Sequence, residues 1–232
     1  MKRFYKEATT GPCEGGHGIL LDGRPVRTPA RNPLALPTAA LAEAVAKEWA
    51  EQGEDIDPGS MPMTGFANAA LDQIAPDPAA FAENIAAYGE SDLLCYRAEG
   101  PETLVARQAG QWQPLLDWAA ARYDISFAVT QSIMHVAQAG ATLARLRDAV
   151  RGQDIFTLAA LSTLTSLSGS LVIALAAVER AFPLVQLWQA AELDELWQAE
   201  YWGDDDQALA RRARRHTEFC TAAKFAELAR AV

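Results

Sequence analysis

Along the first third of the chain, short apolar and β-branched runs alternate with turn residues. Beyond about residue 76, apolar positions recur at helical spacing instead. "HGILLDGRPVRTP", His17 to Pro29, is a hairpin signal with Asp22-Gly23 as its two-residue turn, and Asn32-Pro33 marks a further turn. Thr38 suits an N-cap for a helix in which Leu41, Val45 and Trp49 recur every four residues. That spacing predicts Trp49 as a core anchor packing the helix on the hairpin sheet, and Gly53 as the helix end. "IAPDPAAF", Ile74 to Phe81, is the expected junction, because two prolines one residue apart cannot continue a helix.

After the junction, Phe81, Ile85 and Tyr88 share a helical face. Pro101 and Pro114 suit the first turns of two helices, with Gly110 breaking between them. An amphipathic helix over "GATLARLRDAVRG", an uncharged helix from Ile155, a helix carrying Glu195 and a last helix from about Asp206 complete the chain. The fold class read from this pattern is α+β. A small N-terminal domain of antiparallel strands and hairpins with one packed helix (1–76) precedes a larger all-α C-terminal domain (77–232).

The uncharged stretch Ile155 to Val178 is long enough to span a bilayer. Seven Ser and Thr hydroxyls and Gly169 dilute it, and its flanks lack the basic and aromatic anchors of a spanning helix. It reads as a helix buried on all sides.

Composition narrows the classes further. An apolar fraction of 50% indicates a globular chain, and a net charge of −10 argues against nucleic-acid binding, which needs a basic footprint. Cys13, Cys95 and Cys220 are odd in number and far apart, as reduced intracellular thiols would be. The start, "MKRFYKEATTGPCEGG", lacks the apolar core of a signal peptide and the length of a transit peptide, which fits a bacterial cytoplasmic protein. There is no phosphate loop, no nucleophile elbow and no His or Cys cluster, so neither a cofactor nor a metal is expected.

The chemistry concentrates in "ELDELWQAEYWGDDD", Glu192 to Asp206. At 100° per residue back to Pro183, Leu184, Trp188, Ala191 and Trp202 fall on one stripe with Glu195 in its middle. A carboxylate centred on an apolar stripe has three readings. It is a structural acid paired to Arg180 or to an arginine near the C-terminus, or a partner contact flanked by Trp anchors, or a catalytic acid. The basic run Arg211 to His216 follows three aspartates and reads as a solvated face complementing its helix dipole.

Several stretches in order resemble one family: "KRFYKEA", "ILLDGRPVRTPARNPLALPTAALAEAVAKEWAEQGEDID", "MPMTGFANAALD", "DLLCYRAEGPETLVARQAGQWQPLLDWAAARYD" and "LDELWQAEYWG". Together they look like the assembly chaperone that attends the alpha subunit of the F-type ATP synthase head, from Lys2 to about Asp205. The resemblance implies a non-enzyme that binds the unassembled alpha subunit without ATP, shields the surface later given to the beta subunit, and leaves on hexamer assembly. It places the family's essential acid at Glu195 and the "KEW" tryptophan at Trp49. Client contacts are then expected at Glu195, Trp188 and Trp202, in a monomer with no stable membrane insertion. Mitochondrial relatives act in the matrix behind a presequence. The rival readings are a soluble helical enzyme using Glu195 as acid or base, and a membrane-associated factor using the 155–178 helix.

Overall fold

The computed structural model describes residues 1–132, 134–203 and 205–230. They form an antiparallel sheet and a larger set of helices, an α+β fold, grouped into two compact units. Met1–Pro78, Asp154–Ala160 and Thr221–Val232 make the first unit, and Ala79–Gln153 with Leu161–Cys220 the second.

In the first unit, β1 (Ala8–Cys13) pairs antiparallel with β2 (Gly16–Leu21), in register from Ala8 opposite Leu21 to Cys13 opposite Gly16. The other edge of β2 is shared by β3 (Arg24–Pro25) and β4 (Ala35–Leu36). Asp22 (φ 48°) and Gly23 (φ 79°) both lie in the left-handed region, as a primed two-residue turn requires. Both Asp22 carboxylate oxygens accept from the Lys6 amide and one from Glu7, and these backbone hydrogen bonds hold its pKa below the usual range. The turn is thereby tied to the start of the chain.

Helix α1 (Ala39–Ala50) begins where the Thr38 hydroxyl accepts from the Leu41 amide at 3.1 Å, and its last turn closes at Glu51, two residues before Gly53. Its buried residues, Leu41, Ala42, Val45 and Ala46, recur at helical spacing, and the helix packs on β1 and β2. Trp49 joins a small cluster of Tyr5, Leu21, Ile56 and Met61, with part of its surface left to solvent. The Tyr5 hydroxyl donates to the Trp49 carbonyl at 2.6 Å, and the two rings meet edge-on at 5.8 Å. Helix α2 (Pro62–Ala69) is capped by Glu48, whose carboxylate accepts from the Met63 and Thr64 amides. The Asp72 carboxylate gathers the 28–32 loop through Thr28, Ala30 and Asn32.

After α3 (Pro78–Ala86), the second unit carries α4, which runs unbroken from Glu102 to Tyr123 where the sequence predicts two helices. Gly110 and Pro114 both lie on its exposed side, where the Gly110 carbonyl that loses its donor to Pro114 still meets water. Burial of Trp112, Leu115, Leu116 and Ala119 on the opposite side outweighs that single missing bond.

Helix α5 (Gly140–Arg151) follows, and then the uncharged stretch, which is two helices rather than one: α6 (Ile155–Ser168) and α7 (Leu171–Val178). Gly169 takes φ 65°, and Ser170 caps the new helix by accepting from the Ile173 amide at 3.0 Å. Every residue of α7 is buried. The buried Thr165 and Ser168 hydroxyls bond back to the Leu161 and Leu164 carbonyls, so neither is left without a partner. Among the described residues no helix is long and apolar enough to cross a membrane.

Candidate functional site

The segment after Pro183 is likewise two helices, α8 (Leu184–Ala191) and α9 (Leu193–Trp202), and α10 (Asp206–Ala229) follows. At the joint Glu192 adopts φ −100°, ψ 11°. That small departure from helical geometry rotates the buried face. Leu187, Trp188 and Ala190 are buried before the joint, and Leu193 and Trp197 after it. The single stripe through Glu195 and Trp202 is therefore interrupted, because the spacing argument assumes one unbroken helix.

The buried acid is Glu192, whose side chain is 1% exposed; that of Glu195 is 51% exposed. Arg215 of α10 places Nη1 2.9 Å from Glu192 Oε1 and 3.7 Å from Glu195 Oε1. Its Nη2 donates to the Leu167 carbonyl at 2.7 Å, and its guanidinium lies 5.9 Å from the Trp188 ring centre. Arg212 approaches the second Glu192 oxygen at 3.9 Å. Burial raises the pKa of Glu192, with Arg215 opposing the shift and the nearby Glu195 charge adding to it. Part of the Arg211–His216 run is thus a buried partner for an acid rather than a solvated face: its helical spacing turns Arg212 and Arg215 inward.

Trp188 is 7% exposed and packs against His216 and Phe219 at ring separations of 5.3 and 5.4 Å. It supports the site from beneath. Trp202 is at the surface, 76% exposed, beside Tyr201, and both rings rest on the buried Trp197 at 6.1 and 4.5 Å. Glu200 is held by a two-pronged pair with Arg107 of α4, at 2.7 and 2.9 Å. Glu195, Gln198, Trp202, Arg211 and Arg212 line an open cavity of about 320 Å³. Glu195 and Trp202 thus share one surface, whereas Trp188 does not line it, and Trp49 belongs to the first unit.

Besides Glu48 and Asp72 in the first unit, two structural carboxylates of the second unit escape the sequence reading. Glu192 was visible in principle, since it lies four residues after Trp188 on the same helical row. Asp92 gave no signal within a short apolar segment. It is fully buried, and its two oxygens accept from the Leu94 and Val172 amides, each at 3.0 Å, so one side chain caps a 3₁₀ turn and the start of α7. Burial raises its pKa against the hydrogen bonds that favour the charged form. No group of side chains suited to a metal ion occurs among the described residues.

The arrangement offers exposed aromatic area beside a carboxylate and arginines, which is the chemistry of a protein contact. The chain superposes on the crystal structure of Atp12 from Paracoccus denitrificans with a TM-score of 0.94 at 41% identity, over 99% of this chain and 98% of that one, and on a point mutant of the same protein equally well. A chaperone candidate from Agrobacterium tumefaciens matches with a TM-score of 0.94 at 44% identity, over 99% of this chain and 86% of that one. Residues 2–120 match the family described as ATP12 chaperone protein. The chain belongs to the ATP12 chaperone family.

Proposed function

We propose that the chain is an ATP-independent chaperone for the unassembled alpha subunit of ATP synthase, covering its beta-facing surface until the catalytic hexamer displaces it. The observation that carries this reading is the exposed Glu195–Trp202 surface, held in place by the buried Glu192–Arg215 pair. Tyr201 and Trp202 supply apolar area to a client at low entropic cost, and Glu195 supplies charge selectivity. Trp188 acts from below, by fixing the helix that presents them.

Aggregation of purified alpha subunit, followed by light scattering, tests the reading. Stoichiometric chain should suppress it with or without nucleotide, and addition of beta subunit should release the client. Suppression that requires ATP hydrolysis by this chain would overturn it. The rival, an enzyme using Glu195 as acid or base, fits the geometry less well. Glu195 is half exposed and 3.7 Å from an arginine, where a general acid needs an enclosed site that favours its proton.

A further inference from the structure

The first unit holds a second surface that the Glu195–Trp202 site does not use. An open groove of about 610 Å³ runs between the chain start and the Asp22-Gly23 hairpin, and Phe4, Tyr5, Leu21, Val26 and Trp49 supply its apolar lining. Phe4 is 66% exposed, an apolar ring left in water at the groove.

The charges there are unbalanced. Arg24 and Arg27 also line the groove, and both are exposed. Among the described residues neither forms an ion pair at contact distance, although the Arg24 charge reaches Asp22 and helps lower its pKa; Arg27 donates to the Arg31 carbonyl at 2.9 Å. The one acid in the lining, Asp22, has its oxygens occupied by the Lys6 and Glu7 amides. Two guanidiniums thus face one committed carboxylate, on a chain whose net charge is −10. The Trp49 indole N–H is buried, and the described residues offer it no acceptor.

An apolar floor beside two unpaired guanidiniums selects a ligand that carries an aromatic or large aliphatic group next to carboxylates. Guanidinium forks take carboxylates in two-pronged geometry, and the ring faces take the apolar group. We infer that this groove binds an extended polypeptide segment in which an apolar side chain is flanked by acidic ones, and that such a segment belongs to the client. The second clause rests on the chaperone function proposed above.

The test uses a fluorescein-labelled peptide with one phenylalanine between aspartates, its asparagine counterpart, and full-length chain in which Arg24→Gln and Arg27→Gln are combined. A control carries Lys47→Gln and Arg145→Gln, two exposed cations outside both cavities, so that net charge matches. The aspartate peptide should bind at least tenfold more tightly than the asparagine one. The groove variant should erase that preference and the control keep it, and the preference should shrink in high salt. Equal binding of the two peptides, absence of binding by either, or a preference that survives in the groove variant overturns the inference. Alpha subunit supplies the second arm. Wild-type chain that holds alpha, with the groove variant holding it equally well, rejects the client clause and leaves the chaperone function standing. Wild-type chain that prefers the aspartate peptide yet holds no alpha subunit keeps the groove as an acidic-segment site and removes the chaperone function.

Discussion

Arg215 Nη1 lies 2.9 Å from Glu192 Oε1, joining the last helix to a carboxylate that solvent scarcely reaches. The same guanidinium holds the Leu167 carbonyl and faces Trp188, so one side chain ties the ends of α6, α8 and α9 to α10. A paired charge in such a place contributes little net stability, yet losing one partner strands the other.

Arg215→Met should therefore destabilise the chain by about 2–4 kcal/mol at pH 7, read as a fall in melting temperature or denaturation midpoint. The loss should shrink as pH drops. Burial raises the pKa of Glu192 in the folded state, so the folded chain takes up a proton before the unfolded chain does. The cost of its buried charge is present above the folded pKa and disappears as pH falls through it. A difference between variant and wild type that stays constant from pH 7 to pH 5 would contradict this account.

Glu195→Gln should leave melting within a degree or two of wild type, because the side chain is half exposed and the amide keeps its volume. Affinity for the alpha subunit should fall about tenfold or more, roughly 1.4 kcal/mol at least. Glu192→Ala should show the reverse, early melting with binding lost only in step with folding, because it leaves a cavity where Glu192 packed and strands Arg215. Both quantities measured on each preparation separate the two acids.

Trp49→Arg should lower stability by about 2–4 kcal/mol, less than for a fully buried tryptophan. The substitution removes the ring that meets Tyr5 and places a charge beside Leu21, Ile56 and Met61. Circular dichroism melting and soluble yield report it, and unchanged melting would show that the cluster does without the ring.

Asp92→Ala should cost about 2–4 kcal/mol, since two buried backbone amides lose their acceptor together. Hydrogen exchange at Leu94 and Val172 should accelerate along with the fall in melting temperature. Slow exchange at both would mean that another group takes over the caps.

The hairpin and α1 were legible because their signals are local. Asp22-Gly23 and Thr38 act within three residues of themselves, and the structure places each as read. The α4 and α8–α9 readings failed for one reason: sequence spacing does not reveal what long-range packing overrides. Gly110 and Pro114 are tolerated because their side of α4 faces water, which only the placement of Trp112 and Leu115 decides. One residue with off-helix angles, Glu192, moved the buried acid three positions from where an ideal helix puts it. The partner expected from the C-terminal arginines was present, as Arg215, but for Glu192 more than Glu195. Asp92 is legible only once α7 is in place, because half of what it caps lies 80 residues away.

The Gly169–Ser170 break also sets how far the uncharged stretch can reach. As one rod, the uncharged stretch would reach about 36 Å, more than the roughly 30 Å hydrocarbon layer of a bilayer. Divided, its pieces reach about 21 and 12 Å, and neither bridges that layer. Replacing Gly169 with alanine, which disfavours φ 65°, would strain the turn that keeps the two pieces apart.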